Sequence, residues 1–361
     1  MNDPVLDTPA TDLLGLTEAL CAVPSPSLAE AALVRAVELR LDRLVPALEV
    51  TRFRNNVVAR THLGRDRRVV LGGHLDTVPA NGNQDPRRDG DTLHGLGTAD
   101  MKSGLAVMLA LAEACAAQPP RIDVTFVFYE AEEVADEHNG LRHLFVQDAD
   151  LVAGDLAILL EPTGAWVEAG CQGTIHVRAT YTGQRAHSAR PWTGVNAIHR
   201  AAPVLQRLSE FATKTVTVDG LDYRESLQVV RVEGGIANNV VPDACSVTVN
   251  RRYAPNRPLD TAVGEVAALF AGADNIEVLN RSSAAPPNLT HPLVAEFVGT
   301  LDLPVRPKLG WTDVARFAEH GIAACNFGPG DPELAHTAAE RVTRAEVEAV
   351  HERLARFLAL S

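Results

Sequence analysis

Five short acidic or histidine-bearing patches close apolar runs: His74-Leu75-Asp76, Ala99-Asp100-Met101, Glu132-Glu133, Glu161-Pro162 and Ala335-His336-Thr337. Two imidazoles and several carboxylates suit a pair of zinc ions and a reactive water, so convergence of the patches predicts a metal-dependent hydrolase. Without convergence they are ordinary surface charges. His74 and Asp76 lie two apart at a strand end and share a face, so one can ligate an ion while the other orients the imidazole. A buried histidine beside a helix-capping aspartate is the alternative. Asp100 ends the glycine-rich turn Gly95-Leu96-Gly97-Thr98-Ala99-Asp100, where a carboxylate can bridge two ions or cap the next helix. A nucleotide loop fits less well, because Asp stands where GxGxxG needs its third glycine and no strand leads in. Glu132 and Glu133 are neighbours and point apart, so one can bind metal while the other serves as general base. Glu161 ends the apolar run LAILL, where a carboxylate must be ion-paired, hydrogen-bonded or metal-bound. His187, in the polar turn 183–190, is either an exposed loop residue or an oxyanion donor. Asp100, Glu133, Glu161 and one hydroxide would together offset two Zn2+, which avoids an uncompensated charge in a dry pocket.

The elements that must position these residues follow from hydrophobic periodicity. Ser27-Leu28-Ala29-Glu30 has the capping-box pattern, with Leu33, Val37, Leu41 and Leu44 at helical spacing after it. Runs flanking Arg54-Asn55 predict a hairpin. Arg68–Gly73, Asp123–Tyr129 and Leu156–Leu160 read as strands and Lys102–Ala117 as a helix, so strands alternate with helices around a mainly parallel sheet. Such sheets bind ligands beyond the carboxyl ends of their strands, where His74, Glu132-Glu133 and Glu161 fall. The middle reads as strand 174–181, helix 195–213, strands 226–232 and 245–253, helix 259–271 and strand 275–279. This βαββαβ order is the ferredoxin-like split βαβ. Helix-strand-helix then resumes, with a strand over 322–327. The expectation is a discontinuous catalytic domain, 1–173 and 286–361, interrupted by a lid at 174–285.

Composition narrows the class. The 361 residues are 46% hydrophobic and 22% charged, and the net charge of -13 argues against nucleic acid and anionic membranes as partners. The start lacks a signal-peptide pattern, and no apolar run approaches the roughly 20 residues of a membrane span. Five scattered cysteines without a CxxC pair fit a reducing cytoplasm.

The residues that carry a resemblance are GGHLDTVP at 72–79, TADMKSG at 98–104, YEAEEV at 129–134, EPT at 161–163, AGCQGT at 169–174, RAHSAR at 185–190, GWTD at 310–313, GPGD at 328–331 and AHT at 335–337. With these, the chain resembles the co-catalytic zinc family of aminoacylases, glutamate carboxypeptidases and desuccinylases over nearly its whole length. The resemblance implies an α/β, zinc-peptidase-like catalytic domain with a mixed, mainly parallel sheet, interrupted by an inserted ferredoxin-like α+β lid that makes a homodimer. It implies two Zn2+ per subunit, replaceable by Co2+ or Mn2+. His74 and Glu161 would bind one ion, Glu133 and His336 the other, and Asp100 would bridge them with a cis peptide after it. Asp76 would hold His74, Glu132 would be the general base, and His187 would act in the active site of the partner subunit. Thr174, Asn238, Asn239, Arg252 and Thr312 would contact substrate, Asn239 from across the dimer. Arg190 and Arg251 join them as carboxylate anchors from local clustering. The implied reaction is hydrolysis of the polycarboxylate N-succinyl-LL-2,6-diaminopimelate to succinate and LL-2,6-diaminopimelate. The alternative is another N-acyl-amino-acid amidohydrolase: an acetylornithine deacetylase, aminoacylase or carboxypeptidase. A binding module that has lost catalysis is disfavoured, because all five ligands and Glu132 are present.

Overall fold

The protein is described here by a computed structural model over residues 5–360; the ends of the ranges 1–173 and 286–361, residues 1–4 and 361, lie outside the described residues. The chain forms two compact units. One takes in the chain up to Ala169, Asn288–Arg306 and Arg316 onward; the other is Gly170–Pro287 with Pro307–Ala315. That last segment is one the sequence analysis assigned to the first domain.

The first unit is built on an eight-stranded sheet in the order Glu49–Phe53, Asn56–Arg60, Asp123–Tyr129, Arg68–His74, Leu156–Leu159, Ala323–Asn326, Val167–Ala169, Val305–Pro307. The four middle strands are parallel. Asp123–Tyr129 and Leu156–Leu159 are buried at every position, as expected of central parallel strands covered on both faces. The hairpin turns at Arg54, which takes a left-handed φ of 56°. Helices Leu13–Cys21, Ala31–Leu44, Lys102–Ala117 and Arg344–Leu358 share one apolar core with this sheet. Among the described residues no helix is long and apolar enough to cross a membrane.

One predicted start did not form as read. The helix begins at Ala31 after Glu30, which makes no side-chain cap bond. Instead Ser27 donates to Asp76 and Glu30 accepts from Leu28 and Ala131, so the capping-box residues serve tertiary contacts. A real capping box opens the last helix, with Thr343 and Glu346.

The second unit is a five-stranded antiparallel sheet in the order Lys214–Val218, Leu221–Gly234, Ala244–Tyr253, Gly173–Thr182, Asn275–Ser282. Its core joins Ile175, Val177, Val247 and Val249 to Ala201 and Val204 of helix Ala197–Ser209 and to Val266 of helix Leu259–Ala268. The expected βαββαβ elements are therefore present with one strand more. Lys214–Val218 alternates exposed and half-buried positions at a sheet edge, a pattern too weakly apolar to stand out in the sequence.

In the first unit, strand register brings the site-bearing segments together. His74 pairs with Tyr129 and Gly72 with Leu159, so the chain segments bearing Glu132 and Glu161 emerge beside His74. Gly328 keeps this end closed: a Cβ there would lie 2.3 Å from the Leu160 carbonyl oxygen and 2.5 Å from that of Glu161. Gly328→Ala must push backbone apart and should cost about 1–3 kcal/mol. Urea denaturation is expected to show a lowered midpoint with an unchanged slope; an unchanged midpoint would show that this contact is not tight.

Candidate metal centre

His74 ends a strand of β-branched and small residues and is itself buried. Its Nδ1 lies 3.0 Å from the Asp76 carbonyl oxygen and 3.5 Å from Asp76 Oδ1. That leaves Nε2 facing Asp100, 3.0 Å from Oδ1. Asp100 is flanked on its other side by His336, whose Nε2 is 3.4 Å from Oδ2. His336 Nε2 is also 2.9 Å from Glu133 Oε1. The Asp100–Met101 peptide is cis. Three sets of ligand atoms fall within 4.8 Å of one another: His74, Asp100 and Glu161; Asp100, Glu133 and His336; and His74, Glu132 and Glu133. The first two sets share Asp100. All five sequence patches thus converge.

The loops carrying these ligands are held by buried carboxylates. Asp76, fully buried, accepts the backbone amide of Glu132 at 2.9 Å and that of Glu133 at 3.1 Å, and the Ser27 hydroxyl at 2.7 Å. Its main task is therefore wider than orienting His74. Glu30 accepts the Ala131 amide at 3.2 Å. Glu340 accepts the amides of Ala99 and Asp100, both at 3.0 Å. Two non-glycine residues in these turns, Ala131 (φ 55°) and His336 (φ 62°), hold left-handed backbone, each at a cost of roughly 1–2 kcal/mol. Ser27 and Glu30 had been read in the sequence only as a helix start, and Glu340 had not been singled out. The one available signal for Glu340 was an acid four places beyond His336, and nothing in the sequence says that it is buried.

The electrostatics match a crowd of acids around two imidazoles. Burial opposes a charged His74, but its hydrogen bonds to Asp100 and Asp76 outweigh that and hold its pKa well above the ordinary value. Hydrogen bonds to Asp100 and Glu133 raise His336 to about 10. Burial would raise Asp100, yet the two imidazoles pull it below the usual carboxylate range. Burial lifts Glu340 to about 7 against the pull of its backbone donors. The donor set of imidazole nitrogens and carboxylate oxygens suits divalent zinc, and cations are what this acid-rich pocket needs.

The remaining sequence candidates lie in the second unit. His187 sits in the short strand Ala186–His187 opposite Val240. Its Nδ1 accepts from the Ala189 amide at 3.0 Å, so in the neutral ring the proton is on Nε2. Asn239 is next to it through its carbonyl, which accepts the Ser188 amide. Asn238, Asn239 and Arg190 are exposed, while Thr312 is buried. Thr174 and Arg252 are direct cross-strand partners. Among the described residues the buried Thr174 Oγ1 has no hydrogen-bond partner. Among the described residues the Arg252 side chain makes no hydrogen bond or ion pair, and burial lowers its pKa. Arg251, by contrast, is engaged: it is buried and bound to Glu225 at 2.6 Å, which removes it from the anchors.

Because the neighbouring carboxylates favour the protonated imidazoles, the sign of the pH effect is fixed. Both raised pKa values mean that protons must leave before nitrogen can bind an ion, so metal affinity should climb as pH rises toward about 10 for His336. Calorimetric Zn2+ titration at neutral pH in buffers of different ionisation enthalpy should show release of about two protons on filling the site. No proton release would contradict this electrostatic description.

The sequence profile of Peptidase family M20/M25/M40 matches residues 70–360. A Corynebacterium glutamicum protein named succinyl-diaminopimelate desuccinylase is 42% identical over 361 aligned positions, covering 97% of this chain and 98% of its own. A Mycobacterium tuberculosis protein named "Putative succinyl-diaminopimelate desuccinylase DapE" is 48% identical, covering 96% of this chain and 98% of its own. Among solved structures, an aminopeptidase PepT from Bacillus cereus superposes with a TM-score of 0.80 at 21% identity, covering 97% of this chain and 98% of that one; at that identity the likeness concerns the fold.

Proposed function

Since the chain belongs to Peptidase family M20/M25/M40, we propose that it hydrolyses N-succinyl-LL-2,6-diaminopimelate to succinate and LL-2,6-diaminopimelate with two zinc ions per subunit. The observation that carries the reading is the pair of ligand sets sharing Asp100. His74 and Glu161 would hold one ion and Glu133 and His336 the other, with Asp100 between them. The two relatives named for this activity, aligned over nearly their whole length, supply the substrate.

Bound ions would supply Lewis acidity toward the scissile carbonyl and the attacking water. The rest falls to the chain. Glu132 takes the proton of the attacking water and returns it to the departing amine. Its backbone amide is held by Asp76. His187 of the partner subunit donates its Nε2 proton to the developing oxyanion as a hydrogen bond. The unpartnered Thr174 hydroxyl and Arg252 guanidinium bind a substrate carboxylate, which would relieve both of their unmet demands. Thr312, Asn238, Asn239 and Arg190 contribute further substrate contacts. A homodimer through the second unit is supported by the apolar side chains that this unit exposes, among them Trp192, Val230, Val232 and Ile236. We place the enzyme in the cytoplasm on its five free cysteines.

The test is a comparison of purified enzyme on N-succinyl-LL-2,6-diaminopimelate and on N-acetylornithine. The succinyl substrate should be preferred by at least about a hundredfold in kcat/KM, the discrimination expected when a site binds a group that its competitor lacks. Glu132→Gln should retain both ions and lose turnover by about 100-fold or more. Preference for acetylornithine would reassign the substrate, and full activity of the variant would end the general-base assignment.

A further inference from the structure

We propose that Glu340 is a positioning residue that sets Asp100 and His336 as one unit for binding divalent ions. The inference rests on those two residues being metal ligands, as proposed above. They come from segments far apart in the chain, yet both must present atoms to the same ions. Glu340 joins the segments. Its Oε1 accepts the adjacent amides of Ala99 and Asp100, and two bonds to one oxygen fix the peptide plane from which the Asp100 side chain departs. Glu340's own backbone is equally committed: its carbonyl accepts the Gly95 amide and its amide donates to Thr337, next to His336. Immediately beyond it, Arg341–Thr343 pairs with Thr92–His94, a three-residue strand that leads into the glycine-rich turn where the sequence had shown none. The residue is 1% exposed, so water cannot replace it as acceptor for these amides.

A carboxylate that only filled space in the core would not couple the two ligands. Glu340 as a positioning residue therefore predicts a loss in metal binding that depends on the acceptor oxygen. Metal-free protein competes for Zn2+ with a chromophoric chelator, and circular dichroism records folding of each variant. Glu340→Ala should bind Zn2+ about 10–100-fold more weakly, the effect typical of losing a group that orients a ligand. Glu340→Gln keeps a carbonyl oxygen for the two amides and should stay within about threefold of the parent. Should the alanine variant fail to fold, Glu340→Asp withdraws the oxygen by one methylene and should weaken binding by about tenfold. Unchanged affinity in a folded Ala or Asp variant, or equal losses for Gln and Ala, would overturn the inference. A parent protein that takes no Zn2+ from the chelator would overturn the metal reading and this inference with it.

Discussion

The hydrogen bonds from the backbone amides of Glu132 and Glu133 to the buried Asp76 carboxylate are the constraint on which the centre depends. Strands can deliver residues only to the end of a sheet. Beyond that end the chain is loop, and loops do not by themselves hold carboxylates to within tenths of an ångström. Asp76, one residue past the His74 strand and its following leucine, converts that loop into a fixed piece of the same scaffold. It also takes the Ser27 hydroxyl, bringing the entry to the Ala31–Leu44 helix into the same network. Glu30 and Glu340 repeat the device at Ala131 and at Ala99-Asp100. Backbone amides are the natural partners for these supporting acids, because a charged acceptor in a low-dielectric site forms strong bonds with them and leaves no counterion to dislodge.

The second physical fact is excess negative charge. Asp76, Asp100, Glu132, Glu133 and Glu161 gather around two imidazoles. Without cations the imidazoles carry protons to meet this field, as their raised pKa values record. Divalent ions bound here would take the place of those protons. The proposed substrate anchors belong to the second unit: among the described residues the Arg252 side chain and the buried Thr174 hydroxyl have no partner, while Arg251 beside Arg252 is bound to Glu225.

The strands and the strand-end placement of His74, Glu132-Glu133 and Glu161 were legible because parallel central strands are apolar throughout and stop abruptly at polar residues. The helix at Lys102–Ala117 and the elements of the second unit were legible from hydrophobic periodicity. What misled was local grammar recruited to a distant purpose: Ser27 and Glu30 look like a capping box, but they bond to Asp76 and Ala131. Glu340 was invisible because a single glutamate in a polar stretch carries no mark of burial, and its partners are backbone amides that sequence does not display. Arg251 and Arg252 are adjacent and alike in sequence; only the alternation of strand faces sends one to Glu225 and leaves the other unpaired. The weakly apolar edge strand Lys214–Val218 was missed because edge strands need only half a hydrophobic pattern.

The central claim is that these clamped carboxylates and imidazoles form one centre for two ions that share Asp100. Anomalous diffraction at the zinc absorption edge, from crystals equilibrated with Zn2+, tests it most directly. The account predicts two anomalous peaks, one contacting His74, Asp100 and Glu161 and the other contacting Asp100, Glu133 and His336. No peak at this position, or a single ion that does not touch Asp100, would contradict it.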